Sequence, residues 1–170
     1  MTDQPHLPPY VLEAEDVPSY WQVGILWKVL LSAEATAGQF TLIDQLMPKG
    51  AGPPPHRHER YDEGFHLLDG EIEYTLGADD DRRTVLAKTG DTVWVPRGTT
   101  HAFTVASDTV RALNFYTPGG WDDHLAFLAV PATEKTLPPA GVGADPRQVD
   151  PDKAQAFLDR IRELHTQTGF

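Results

Sequence analysis

Residues 50–70 read GAGPPPHRHERYDEGFHLLDG, and their reading decides the fold. The stretch opens on Gly50, Gly52 and the prolines Pro53, Pro54 and Pro55, which have no place in a central strand. His56 and His58 then stand two apart, and in an extended chain such residues point to the same side. Two imidazoles aimed into one cavity are half a metal site. Glu63 follows just ahead of the apolar residues Phe65, Leu67 and Leu68, and Asp69-Gly70 predicts a hairpin turn between that strand and the next apolar run. A His-x-His pair alone says little, because a lone histidine is more often at the surface or satisfied in a core. His6, His66, His124 and His165 are read in that plain way, and His66, out of phase with Phe65 and Leu67, should face solvent.

Outward from this stretch, the 14 glycines and 15 prolines cut the chain at short intervals. The pieces between them are short and rich in Val, Ile, Leu, Thr and aromatics, which predicts an all-β sandwich or barrel. Strands are expected over residues 25–31, 39–47, 65–68, 71–76, 83–87, 92–95, 102–105 and 110–116. In 39–47, Phe40, Leu42, Asp44 and Leu46 alternate with Thr41, Ile43, Gln45 and Met47, a period of two with mixed faces. Asp79, Asp80 and Asp81 beside Arg82 and Arg83 mark a solvated hairpin tip. Residues 1–19 read as a polar, Pro-rich extension, 20–118 as the barrel and 119–170 as a helical C-terminal segment. Within the last, 121–130 reads as a short helix with Trp121, Leu125 and Leu128 on one face. After a Pro/Gly-rich connector, Asp150 can cap a second helix striped by Ala154, Phe157, Leu158, Ile161 and Leu164, to pack on the barrel or on a partner.

Composition removes several function classes. A net charge of −11 argues against nucleic acid, which needs a dense basic surface. With no cysteine, disulfides, thiolate metal sites and cysteine nucleophiles are excluded. No stretch approaches the ~18 apolar residues of a membrane span, and the first ten residues show no signal-peptide pattern. A cytoplasmic protein that does not engage membranes is expected.

A second stretch, GDTVWVPRGTTH at residues 90–101, completes the pattern. Residues 50–70 resemble the first motif of the cupin superfamily, with Gly50, His56, His58, Glu63 and Gly70 at its fixed positions. Residues 90–101 resemble the second, with Gly90, Pro96, Gly98 and His101. The resemblance implies a single jelly-roll barrel holding one divalent transition metal per chain on His56, His58, Glu63 and His101. Three imidazoles and a carboxylate suit Fe, Mn, Co, Ni, Cu or Zn. On a six-coordinate ion they leave open positions, whereas on tetrahedral zinc they close the shell. One departure is Val105, where the second motif usually carries Asn four residues after its His; that makes part of the pocket apolar. The segment from Pro118 to about Pro139 resembles small single-domain cupins related to quercetin 2,3-dioxygenase, in which such a segment caps the barrel.

That resemblance implies an enzyme in which Glu63 is both ligand and general base, acting with dioxygen on an enol-bearing, flavonol-like or other aromatic small molecule. Met47, Phe65, Tyr74, Phe103 and Phe115 are expected to line the substrate pocket, with Trp121 over its mouth. Two further classes stay open: an isomerase, cyclase or decarboxylase that needs a metal but no oxygen, and a non-enzymatic ligand-binding module. Residues 20–31 are apolar on both faces (Trp21, Val23, Ile25, Leu26, Trp27), which predicts a homodimer paired through this region.

Overall fold

The computed structural model describes residues 8–143. Its strands are β1 (Ser19–Gln22), β2 (Ile25–Leu31), β3 (Thr41–Pro48), β4 (Asp62–Asp69), β5 (Glu71–Leu76), β6 (Arg83–Lys88), β7 (Thr92–Val95), β8 (His101–Val105), β9 (Thr109–Thr117) and β10 (Val130–Pro131). A helix, α1 (Trp121–Leu128), lies between the last two. The strands form a seven-stranded sheet in the order β10-β1-β2-β3-β9-β4-β7 and a three-stranded sheet in the order β6-β5-β8. All described pairings are antiparallel. From β4 onward the chain passes repeatedly from one sheet to the other. The core between them draws Ile25, Trp27, Ile43, Met47, Phe65 and Val110 from the large sheet and Ile72, Tyr74, Phe103 and Val105 from the small one. This is the expected all-β jelly roll. No helix among the described residues is long and apolar enough to cross a membrane.

Alternation of side chains decides which residues face that core. In β9, Val110, Ala112, Asn114 and Tyr116 are buried, while Thr109 and Arg111 are exposed and Leu113, Phe115 and Thr117 lie between. In β3, Thr41, Ile43, Gln45 and Met47 are buried inward, and Asp44, on the opposite face, is buried beneath Lys28 and Arg111.

Several expectations about local structure need correction. Asp69-Gly70 is not a hairpin turn: β4 belongs to the large sheet and β5 to the small one. The pair instead turns the corner between sheets. Gly70 has φ +90°, and a Cβ there would lie 2.4 Å from the Thr109 carbonyl oxygen, so the corner admits only glycine. Residues 20–31 are two strands joined at Val23-Gly24, both with positive φ, a tight hairpin turn that a valine hides from sequence reading. The outer apolar face of that hairpin is covered from within the chain. Trp21 Nε1 donates to the Thr136 carbonyl at 2.8 Å, and Gly143 lies against the Trp21 backbone. The apolar faces behind the homodimer expectation thus have a partner in the chain itself. Helix α1 packs against β1, with Leu125 fully buried and Asp122 accepting from Ala33 N at 3.1 Å and Thr41 Oγ1 at 2.6 Å. The expected stripe from Ala154 to Leu164 falls outside the described residues.

Candidate metal centre

His56 is delivered by the Gly/Pro-rich segment, which lies alongside the start of β8. His56 N donates to His101 O at 2.9 Å and His101 N to His56 O at 2.8 Å. Farther back, Gly52 runs so close to β8 that a Cβ would lie 1.9 Å from the Phe103 carbonyl oxygen. Glycine there is what lets the segment approach and set both imidazoles into the barrel. Glu63 comes from the inward face of β4, in phase with Phe65 and Leu67.

One ligand atom from each of His56, His58, Glu63 and His101 lies within 4.8 Å of all the others. His56 Nδ1 sits 3.0 Å from Pro54 O, and His101 Nδ1 sits 2.9 Å from Thr99 O. A carbonyl only accepts, so each Nδ1 carries a proton and each ring turns Nε2 to the centre, the arrangement a metal-binding histidine needs. His101 Nε2 lies 2.9 Å from Glu63 Oε2, so without a metal this ring is protonated at both nitrogens and pairs with the carboxylate. Burial, the largest influence on His101, pulls its pKa down, but the Glu63 and Thr99 bonds raise it overall. His56 is pushed down by burial and by the neighbouring imidazoles. Glu63 is fully buried; burial pushes its pKa up, yet the bonds from His101 and Tyr116 and the nearby His58 ring hold it well below the usual carboxylate range.

The remaining atoms fit a cation. His58 Nε2 is buried with no aligned hydrogen-bond partner among the described residues, although Glu63 Oε2 is 3.3 Å away. Such an unpartnered buried nitrogen is costly unless something occupies it. Among the described residues no Lys or Arg neutralises Glu63; the His101 proton does that work, and a divalent ion would displace it.

Sequence reasoning missed three residues here. Asn114 Nδ2 donates to Glu63 Oε1 and to Gly64 O, both at 3.1 Å. Gln45 Nε2 donates to Asn114 Oδ1 at 3.2 Å. Tyr116 hydrogen-bonds Glu63, and its own hydroxyl is pushed well above its ordinary pKa by burial and by that carboxylate. The available signal was the parity of β9: Arg111 must face out, which turns Asn114 and Tyr116 in. The same parity corrects Phe115, expected in the pocket. It lies on the outer face, its ring over Gly64 and packed at a tilt against the half-exposed Trp94 at 5.5 Å.

Met47, Phe65, Tyr74 and Phe103 do face inward, each buried. Trp121 lies over the centre, 5.0 Å from the His58 ring, stacked between Tyr116 at 4.3 Å and His124 at 4.5 Å. His124, read as an ordinary histidine, thus belongs to the wall above the site. Burial, and to a lesser degree His58, pushes its pKa down to about 4. His66 stays outside, 3.0 Å from Thr92 Oγ1.

With fold and ligand set described, the comparisons with known proteins agree. Residues 43–116 match the family model of the cupin domain. Residues 43–116 thus carry a cupin domain. A quercetin 2,3-dioxygenase of Aspergillus japonicus is 26% identical over 117 residues, 67% of this chain but only 33% of that enzyme. Among solved structures, a predicted oxalate decarboxylase from Thermotoga maritima superposes with a TM-score of 0.56 at 19% identity, covering 64% of this chain and 99% of that one. An RmlC-like cupin from Shewanella frigidimarina gives a TM-score of 0.56 at 16% identity, covering 69% and 98%. These likenesses show the fold.

Proposed function

We propose that this protein is a metal-dependent oxygenase of enol-bearing, flavonol-like or related aromatic small molecules, with His56, His58, Glu63 and His101 holding one divalent transition metal. The observation that carries the reading is the buried carboxylate of Glu63, converged on by three imidazoles and by no permanent cation. The similarity to quercetin 2,3-dioxygenase supports the substrate class, and the aromatic wall of Phe65, Tyr74, Phe103 and Trp121 suits a flat ring. When bound, the ion would supply Lewis acidity toward a substrate hydroxyl and, if redox-active, a route for electrons to dioxygen.

The chain's own residues do the rest. Pro54 and Thr99 fix the imidazole tautomers, and Asn114 holds Glu63 by Oε1, leaving Oε2 toward the centre. Glu63 Oε2 takes the substrate hydroxyl proton. The His101 bond keeps Glu63 deprotonated before an ion is bound; with an ion bound, the carboxylate would accept the proton only by swinging Oε2 off the ion toward the substrate hydroxyl. Trp121 and Tyr61 exclude water above His58.

Oxygen uptake by the metal-loaded protein with a flavonol, measured beside Glu63→Gln, tests the reading. Uptake that follows substrate and is lost in the variant is expected. Conversion of substrate without oxygen uptake would move the protein to the decarboxylase, isomerase or cyclase class. Binding with no conversion under any metal would make it a ligand-binding module.

A further inference from the structure

Inside the barrel, two buried polar atoms beside the centre have no partner among the described residues: the Tyr74 hydroxyl and Gln45 Oε1. Both side chains are fully buried on the inward faces of β5 and β3, from opposite sheets. The ring of Tyr74 is wedged between Phe65 at 5.5 Å and Phe103 at 5.7 Å, so its hydroxyl cannot turn out to water. It lies close enough to Glu63 for that charge to raise its pKa, after burial the second cause.

The orientation of Gln45 is fixed by its neighbours. A carboxylate only accepts, so Asn114 must turn Nδ2 to Glu63, which leaves Oδ1 to accept from Gln45 Nε2. Gln45 Oε1 is thereby committed as an acceptor with nothing to accept from. The barrel interior thus presents one unpaired donor and one unpaired acceptor among the described residues. Buried polar groups left unpaired destabilise a fold and are retained where a ligand completes them.

We infer that Tyr74 and Gln45 are specificity-determining residues that recognise an oxygen function of the substrate, Tyr74 donating a hydrogen bond and Gln45 accepting one. The inference rests on the proposed reading and narrows its substrate class. Beyond the enol oxygen at the metal, the molecule carries an inward hydroxyl or hydroxy-ketone group. A plain hydrocarbon ring would leave both protein atoms unpaired. Sites built to bond a substrate hydroxyl reject analogues that lack it more strongly than apolar pockets reject a methylene.

The test compares the metal-loaded parent with Tyr74→Phe, which removes one oxygen and keeps the ring. The probes are quercetin, which is polyhydroxylated, and 3-hydroxyflavone, the same frame without the extra hydroxyls. The parent should prefer quercetin, and the variant should lose that preference, binding it roughly tenfold more weakly. The second readout needs no ligand. An unpaired hydroxyl contributes nothing to the resting fold, so the variant should melt no lower than the parent. Melting lower by about 2 °C or more would mean that the hydroxyl is bonded within the protein and would overturn the inference. So would unchanged preference in a variant with unchanged metal content. If the metal-loaded parent binds neither flavonol, the enol reading fails, and the melting comparison alone decides whether Tyr74 is unpaired.

Discussion

Two carboxylates are buried in neighbouring parts of the large sheet, on opposite faces, and the chain treats them differently. Asp44, on the outer face, is 3% exposed and takes Lys28 Nζ at 2.6 Å and Arg111 Nη2 at 2.8 Å. Glu63, on the inner face, is equally buried at 3% and receives imidazoles, an amide and a phenol. Permanent cations close the first site as a structural ion pair. Neutral or titratable donors leave the second with a charge that only a proton or a metal can balance. Burial alone does not mark a functional carboxylate; what marks it is the missing permanent counter-charge.

The largest expected effect that would break this contrast is on Glu63. Glu63→Gln keeps the shape and removes the charge. Metal affinity should fall by more than the ~10–100-fold typical of a partner behind the ligands, with little change in fold as read by circular dichroism. Metal binding unaltered by the change would mean that the carboxylate is not a ligand. The next effect sharpens the picture. Asn114→Ala frees Glu63 Oε1 and should weaken metal binding by about 10–100-fold without abolishing it, measured by competition with a chelator. A variant that binds as tightly as the parent would leave Asn114 with no part in positioning the carboxylate.

The smallest effect lies on the other face. Asp44→Ala should lower stability by about 1–3 kcal/mol through the loss of the charge-assisted bonds to Lys28 and Arg111, and metal content should not change. Burial raises the Asp44 pKa, but Arg111 and Lys28 outweigh it and lower it overall. A depressed carboxylate contributes stability above its unfolded pKa, and that contribution is lost as pH falls through the lower folded value. Denaturation from pH 6 down to about pH 2 should therefore show a steeper loss of stability in the parent than in Asp44→Ala below about pH 4. Parallel curves would refute the assignment.

Much of this was legible in the chain. His56, His58, Glu63 and His101 stand at spacings set by tight backbone corners, and corners leave glycine and proline in the sequence. Gly52 and Gly70 are there because a Cβ would strike the Phe103 and Thr109 carbonyls. The turn residues that make a corner also make a hairpin, which is why Asp69-Gly70 misled. Gln45 was silent because a single polar residue in an apolar strand looks like any other until its neighbour across the sheet is known, and Asn114 and Tyr116 were legible only through the phase that Arg111 sets on their strand. Phe115 was placed inward by type, though the charge of Arg111 on the same strand fixes the phase that turns it out.

The most direct test of the metal centre is elemental analysis of the purified protein, after reconstitution with Fe, Mn, Co, Ni, Cu and Zn in turn, beside a His56→Ala, His58→Ala double variant. About one divalent ion per chain in the parent and none in the variant is the expected result. No ion retained by the parent under any of the six conditions, or equal retention by the variant, would contradict it.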